Sequence, residues 1–305
     1  MLHVNGNQIL DENDQDFQIK GVSLIDIGEI KEYIRGNIDT ALRFWNINTI
    51  RLPIYPPSVH GRKSTYPFLP GNHLIENVLI PTIAYADAHD LQVIIDWHQI
   101  NPLTDETVDG ALEFWTEALP KIAEWDNIIL EVYNEPTNGN ATPPWNSTSD
   151  ESWALCKPFL QTLVSGVRAL SDKLIICPTP VCCRLPLGAN NDPLDVDNVA
   201  YAAHIYPPDV WGNEGFETEG FIQDHINFSN AIIGEVRNSS AIPLVLTEVG
   251  LNVDNTDFTA EFESLLGDTS VGWIAWVLDQ AWWPPLLNQF NVPSKFGKKV
   301  KQLMT

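Results

Sequence analysis

Two glutamates in this chain close stretches that are otherwise mostly apolar. Glu135 follows Ile128-Ile129-Leu130-Glu131-Val132-Tyr133-Asn134, and Glu248 follows Leu244-Val245-Leu246-Thr247. A carboxylate at the mouth of a buried strand has no packing reason to be there. Two that face one cavity suit acid and nucleophilic work on a glycosidic bond. Their separation would decide the stereochemistry, about 5–5.5 Å for retention and about 6.5–9.5 Å for inversion. Other polar residues fall at comparable places. Arg51 lies in Ile50-Arg51-Leu52-Pro53, His98 ends Asp96-Trp97-His98, and Asn134 precedes Glu135. His204 and Tyr206 flank Ile205, and Trp276 lies near the end of the last apolar run. One such residue is explained by a satisfied salt bridge. Two glutamates, an arginine and two histidines converging on one face are not.

The elements that must carry these residues alternate regularly. Apolar runs predict strands at 17–22, 48–53, 91–97, 127–133, 174–177, 198–205, 243–247 and 271–277. Amphipathic runs predict helices at 39–46, 75–89, 109–124, 153–170, 221–236, 257–266 and 293–304. After the fifth strand, 184–193 reads as a loop. Eight strands, most followed by a helix, predict one parallel (β/α)8 TIM barrel over 1–305 as a single catalytic domain. Residues 1–16 read as an N-terminal β-hairpin closing the barrel bottom. The alternative is an open doubly wound sheet, but no glycine-rich fingerprint follows the first strand. In a barrel the chemistry lies at the C-terminal strand ends, where the polar residues above fall.

Composition narrows the partners. The net charge is −23, from 40 acidic and 17 basic residues, while charged residues total only 19%. The imbalance reflects scarce Lys and Arg more than abundant carboxylates. Such a surface repels nucleic acid and anionic membranes and is compatible with a neutral substrate. Adaptation to high salt is one expectation; an ordinary acidic secreted enzyme is the other. No apolar run is long enough for a membrane helix, and no signal peptide is visible. An extracellular location is expected, with the cytoplasm as the alternative. Cys156, Cys177, Cys182 and Cys183 contain no CxxC pair, so a zinc site is not expected. They read as small buried side chains, with one disulfide as the alternative. Asn140, Asn146, Asn227 and Asn238 fit the glycosylation pattern.

The motifs taken together resemble glycoside hydrolase family 5, the cellulase and mannanase family, over nearly the whole chain. The resemblance rests on Lys20-Gly21-Val22, Ile50-Arg51-Leu52-Pro53, Asp96-Trp97-His98, Tyr133-Asn134-Glu135-Pro136, His204-Ile205-Tyr206 and Thr247-Glu248-Val249-Gly250, in that order. It implies Glu135 as acid/base and Glu248 as nucleophile of a double displacement. Arg51 and Tyr206 would contact Glu248, and Arg51 would keep it ionised. Asn134 would bind the sugar 2-hydroxyl, His204 would sit near Glu135, His98 would bind hydroxyls, and Trp276 would stack beneath the sugar. No metal or organic cofactor is required, and no protein partner is evident.

Among the 11 tryptophans, Trp97, Trp145, Trp211, Trp282 and Trp283 follow strands; Trp211 and the Trp282-Trp283 pair are the preferred cleft residues. Two departures touch substrate choice. Pro178-Thr179-Pro180-Val181-Cys182-Cys183-Arg184 lacks the tryptophan many relatives carry there, and Val249 replaces a commoner aromatic. With no appended carbohydrate-binding module in the chain, soluble glycans are expected over crystalline cellulose. The leading expectation is an endo-β-1,4-glucanase. An endo-β-1,4-mannanase and an exo-acting glycosidase are the enzymatic alternatives, and a non-catalytic glycan-binding barrel is the alternative outside enzymes.

Overall fold

In a strand, alternate side chains point to opposite faces. Here that alternation sorts residues between the inside of a closed barrel and its surrounding helices. The computed structural model describes residues 1–56, 73–139, 148–207 and 231–305. A hairpin of β1 (His3–Asn5) and β2 (Gln8–Leu10) opens the chain and turns at Gly6. The barrel strands are β3 (Lys20–Ser23), β4 (Thr49–Ile54), β5 (Gln92–Trp97), β7 (Ile128–Glu131), β9 (Ile175–Cys177), β10 (Val199–Ile205), β11 (Leu244–Val249) and β12 (Gly272–Ala275). They pair in parallel in chain order, and β12 returns to β3 through Trp273↔Lys20, Ile274↔Gly21 and Ala275↔Val22. That closure excludes the open sheet. A separate two-stranded parallel ladder joins β6 (Ile100–Asn101) to β8 (Glu135–Pro136).

The barrel interior is layered. Ile19, Ile94, Ile129, Ile176, Ala200, Ala202, Val245 and Ile274 form an apolar floor, against which Leu2 and Ile9 of the hairpin pack. Two residues further along their strands, Asp96 follows Ile94 and Glu131 follows Ile129 on the same face. The opposite faces, such as Ile50, Leu52 and Ile54 on β4 and Val93, Ile95 and Trp97 on β5, belong to the larger core shared with the helices.

Two helices begin four residues before their expected starts. Asp105–Ile122 is capped by Thr104, and Ser149–Arg168 by Thr148, each in a reciprocal capping box. The apolar pattern starts later than the cap, so periodicity alone misses the first turn. The other helices are Ile34–Phe44, Ile80–Asp87 after a π turn at Ile75–Leu79, Thr256–Asp268 and Lys295–Leu303. The helix expected at 221–236 lies partly outside the described residues, with 231–238 helical. In the segment expected as a loop, Leu187–Asn191 forms a short helix. Tertiary contacts hold it: the Gly188 N–H donates to Ser149 Oγ at 2.7 Å, and Trp153 Nε1 donates to the Asp192 carbonyl at 2.8 Å. All four cysteines are free thiols, three buried and Cys182 half-buried. Of the glycosylation acceptors, Asn238 is exposed; Asn140, Asn146 and Asn227 lie outside the described residues.

The floor is the part of the fold most sensitive to truncation, because it is enclosed on all sides and relaxes little. Ile274→Ala should cost about 2–5 kcal/mol of stability in denaturant unfolding. The residual native enzyme should keep its kcat, since Ile274 contributes no polar group to the site.

Candidate active site

Arg51 projects from β4 into the barrel and is fully buried. Its Nε donates to Glu131 Oε2 at 2.6 Å, its Nη1 to Glu248 Oε1 at 2.8 Å, and its Nη2 to Asn134 Oδ1 at 2.6 Å. Nη2 also lies 2.9 Å from Asp96 Oδ2. Burial opposes the charge on Arg51, but Asp96, Glu131 and Glu248 together hold its guanidinium well above the ordinary value. The carboxylates are affected in the opposite sense. Burial pushes Asp96 up to about 7, against the pull of Arg51 and with a smaller push from Glu135. Burial also raises Glu131. Three carboxylates around one guanidinium leave an excess of negative charge, and protonation of Asp96 or Glu131 relieves it.

Glu248 sits where the β10–β11 register shifts, between Ala203 and His204, and pairs across from His204. Such irregularities re-aim a side chain at a barrel rim. The Tyr206 hydroxyl donates to Glu248 Oε2 at 2.5 Å. Gly250 makes that approach available: a Cβ there would lie 2.6 Å from Tyr206 Cε1 and 2.8 Å from Pro284 Cγ. Glu135 is carried by the β6–β8 ladder, whose Glu135 N–H donates to the Gln99 carbonyl at 2.9 Å. His204 Nδ1 is 2.7 Å from Glu135 Oε1, and His204 Nε2 is 3.0 Å from Thr247 Oγ1. Burial pushes His204 down to about 4, so its imidazole is neutral at neutral pH. One ligand-type atom from each of Glu135, His204 and Glu248 lies within 4.8 Å of the others. Two carboxylates and an imidazole are chemically suited to a divalent cation, but both ring nitrogens of His204 are already engaged.

Aromatic rings complete the mouth. His98 bonds Asp96 Oδ2 through Nδ1 at 2.5 Å and stacks on Trp276 with centroids 5.5 Å apart and planes at 12°. Trp282 meets Trp276 edge-on at 6.5 Å. Trp283 is 53% exposed. Trp97 faces the helices and stacks on Phe114, so it is a core residue. Trp145 and Trp211 lie outside the described residues.

The sequence matches the cellulase family, glycosyl hydrolase family 5, over residues 10–281. The chain belongs to that family. A cellulase from Thermoanaerobacterium sp is 28% identical over 287 residues, covering 91% of this chain and 70% of the relative. Endoglucanase A from Butyrivibrio fibrisolvens is 28% identical over 207 residues, covering 67% of this chain and 45% of the relative. The chain therefore spans between 45% and 70% of these relatives' lengths. The fold is shared with a β-glucanase from Saccharophagus degradans in complex with cellotetraose, at a TM-score of 0.78, 19% identity, and 100% and 92% coverage of the two chains. It is shared equally with the catalytic domain of a Thermobifida fusca endoglucanase, at a TM-score of 0.74, 20% identity, and 100% and 97% coverage.

As a family 5 member, the chain brings together Arg51, His98, Asn134, Glu135, His204, Tyr206, Glu248, Trp276 and Trp282. Two residues of the network were not singled out as site residues from sequence: Glu131 and, apart from its motif, Asp96. Their signal is an acidic residue on the inward phase of an apolar strand. Reading only strand ends passes over it.

Two outcomes follow from this geometry. Gly250→Ala should push the Tyr206 ring off Glu248 and lower kcat about tenfold, with a small change in melting temperature. Asp96 has a folded-state pKa above the unfolded value of about 3.9, so its contribution to stability declines as pH rises from about 4 to 7. His204, depressed to about 4, acts oppositely, and its contribution is lost as pH falls from about 6.5 towards 4. Asp96→Asn should therefore tilt the curve of unfolding midpoint against pH towards stability that rises with pH in this range.

Proposed function

We propose that the protein is a retaining endo-β-1,4-glucanase, with Glu248 as nucleophile and Glu135 as acid/base. The observation that carries the reading is the short span between the two carboxylates, an oxygen of each lying within 4.8 Å of the other. The closeness favours the about 5–5.5 Å carboxyl spacing of retaining enzymes over the about 6.5–9.5 Å of inverting ones. The partners assign the roles. Glu248 faces two donors, the Arg51 guanidinium and the Tyr206 hydroxyl, which suit an anion poised to attack. Glu135 faces a neutral imidazole, which serves either protonation state. With the proton on Nδ1, His204 donates to Glu135 Oε1 in both states, Thr247 donates to Nε2, and the other Glu135 oxygen is left to carry the acid proton.

In the first step a Glu248 oxygen attacks the anomeric carbon. The glycosidic C–O bond breaks, its electron pair stays on the leaving oxygen, and that oxygen takes the proton of Glu135. In the second step Glu135 removes a proton from water, which attacks the same carbon and frees Glu248. Asn134 supports the transition state. Its Oδ1 is held by Arg51, while its buried Nδ2 has no hydrogen-bond partner among the described residues and is available to a sugar 2-hydroxyl. Trp276, with Trp282 against its edge, offers the apolar face on which a pyranose ring stacks. Trp283, 53% exposed, is the next residue on the same loop. The names of the curated relatives favour β-1,4-glucan as the substrate. We infer an extracellular location, because a polysaccharide substrate is met outside the cell.

Glu248→Ala should abolish turnover on carboxymethylcellulose while leaving oligosaccharide binding largely intact. Azide should restore cleavage of an activated β-glycoside and give the α-glycosyl azide. In the wild type, NMR should see the β-anomer of the new reducing end first. An α-anomer would reject retention, and hydrolysis of pure mannan without hydrolysis of β-glucan would reject the substrate.

A further inference from the structure

The turn after β9 contains three successive residues in the left-handed region: Val181, Cys182 and Cys183, with φ of 55°, 56° and 57°. This backbone is unfavourable for any L-residue and most so for β-branched Val181. The surrounding structure over-determines it. The Cys183 N–H donates to the Thr179 carbonyl at 3.1 Å, and the Arg184 N–H to the Pro180 carbonyl at 3.0 Å. Thr179 Oγ1 is anchored to the Ala202 carbonyl on β10 at 2.8 Å. The Val181 N–H reaches the Asn138 carbonyl at 3.3 Å. Gly139 leaves space for the turn, since a Cβ there would lie 2.9 Å from Val181 Cγ2. Strain held this firmly calls for a function.

The turn aims the thiol of Cys183 at one carbonyl. Cys183 is fully buried, and its Sγ lies 3.0 Å from the Asn134 carbonyl oxygen. Burial pushes the thiol well above its ordinary range, and the charges of Glu135 and Glu131 add to that, so it stays protonated and acts as the donor. The carbonyl belongs to the peptide unit that joins Asn134 to Glu135. The other edge of that unit, the Glu135 N–H, donates to the Gln99 carbonyl at 2.9 Å. The peptide is thus gripped on both edges, by the β6–β8 ladder on one side and by Cys183 on the other. Its plane sets the direction in which Glu135 leaves the backbone.

We propose that Cys183 is a positioning residue for Glu135, orienting through the Asn134–Glu135 peptide the carboxyl group that protonates the leaving oxygen. The inference rests on Glu135 being the acid/base. Loosening the grip misplaces the acid without removing it. The defect should therefore appear only where protonation of the leaving group matters. Substrates whose leaving group departs unprotonated should be spared.

The test compares kcat/KM on 2,4-dinitrophenyl β-cellobioside, which needs little acid assistance, with that on a cello-oligosaccharide, which needs it. Glu135→Ala serves as the reference. Cys183→Ala should lose about tenfold on the oligosaccharide and less than about twofold on the aryl glycoside. Cys183→Ser keeps a donor and should recover most of the loss. Cys183→Gly, which adopts the left-handed conformation without strain, removes the thiol and should reproduce the split if the alanine variant folds poorly. Equal losses on both substrates, or no loss in either the alanine or the glycine variant, would overturn the proposal while leaving Glu135 in its role. If Glu135→Ala itself shows no leaving-group dependence, the acid/base assignment fails and this inference falls with it.

Discussion

The active site is organised around one buried cation. Arg51 directs its guanidinium to Glu131 on β7, to Asn134 beyond that strand, and to Glu248 on β11, with Asp96 on β5 also in contact. Four groups from three other strand regions are thereby located relative to β4 by one rigid planar fork. Lysine offers a single point charge and no such fork. Burying the guanidinium costs solvation, and only several close anionic partners offset it. Removing one partner of a buried pair costs about 3–5 kcal/mol, because the remaining charge stays uncompensated. The network therefore resists change at any single member.

The excess negative charge of this network is distributed unevenly. Asp96 and Glu131 are fully buried, and burial pushes both upwards. Glu248 differs in having the Tyr206 hydroxyl as well as Arg51 on its two oxygens. Burial thus favours the protonated form of the two carboxyls deep in the barrel. Asp96 is also the link to the mouth, since it bonds His98, which stacks on Trp276. Trp276 and Glu248 thus share one foundation.

Glu135 is supported differently. It lies beyond the barrel strands, on the β6–β8 ladder, and touches the network through His204. The imidazole is neutral, so it adds no charge beside Glu248. The two glutamates therefore rest on different main supports, one on a buried cation and a phenol, the other on a ladder and an imidazole that also lies 3.6 Å from Glu248.

The amino-acid sequence alone determined the barrel, because period-two strands and period-3.6 helices follow directly from where apolar side chains must point. It also determined the polar residues at strand ends, since Glu135, Glu248, Arg51, His204 and Tyr206 interrupt apolar runs where packing has no use for them. Helix starts at Thr104 and Thr148 were legible only through capping chemistry, and the short helix at Leu187–Asn191 was not legible, because contacts to Ser149 and Trp153 hold it rather than its own pattern. Only the tertiary structure decided that Glu131 and Asp96 join the site. Whether an acidic residue inside a strand meets Arg51 or a surface lysine depends on strand order and register, which no local pattern encodes. The same holds for the separation of the two glutamates and for Cys183 meeting the Asn134 carbonyl. Distances between residues on different strands are set by barrel closure, a property of the whole chain.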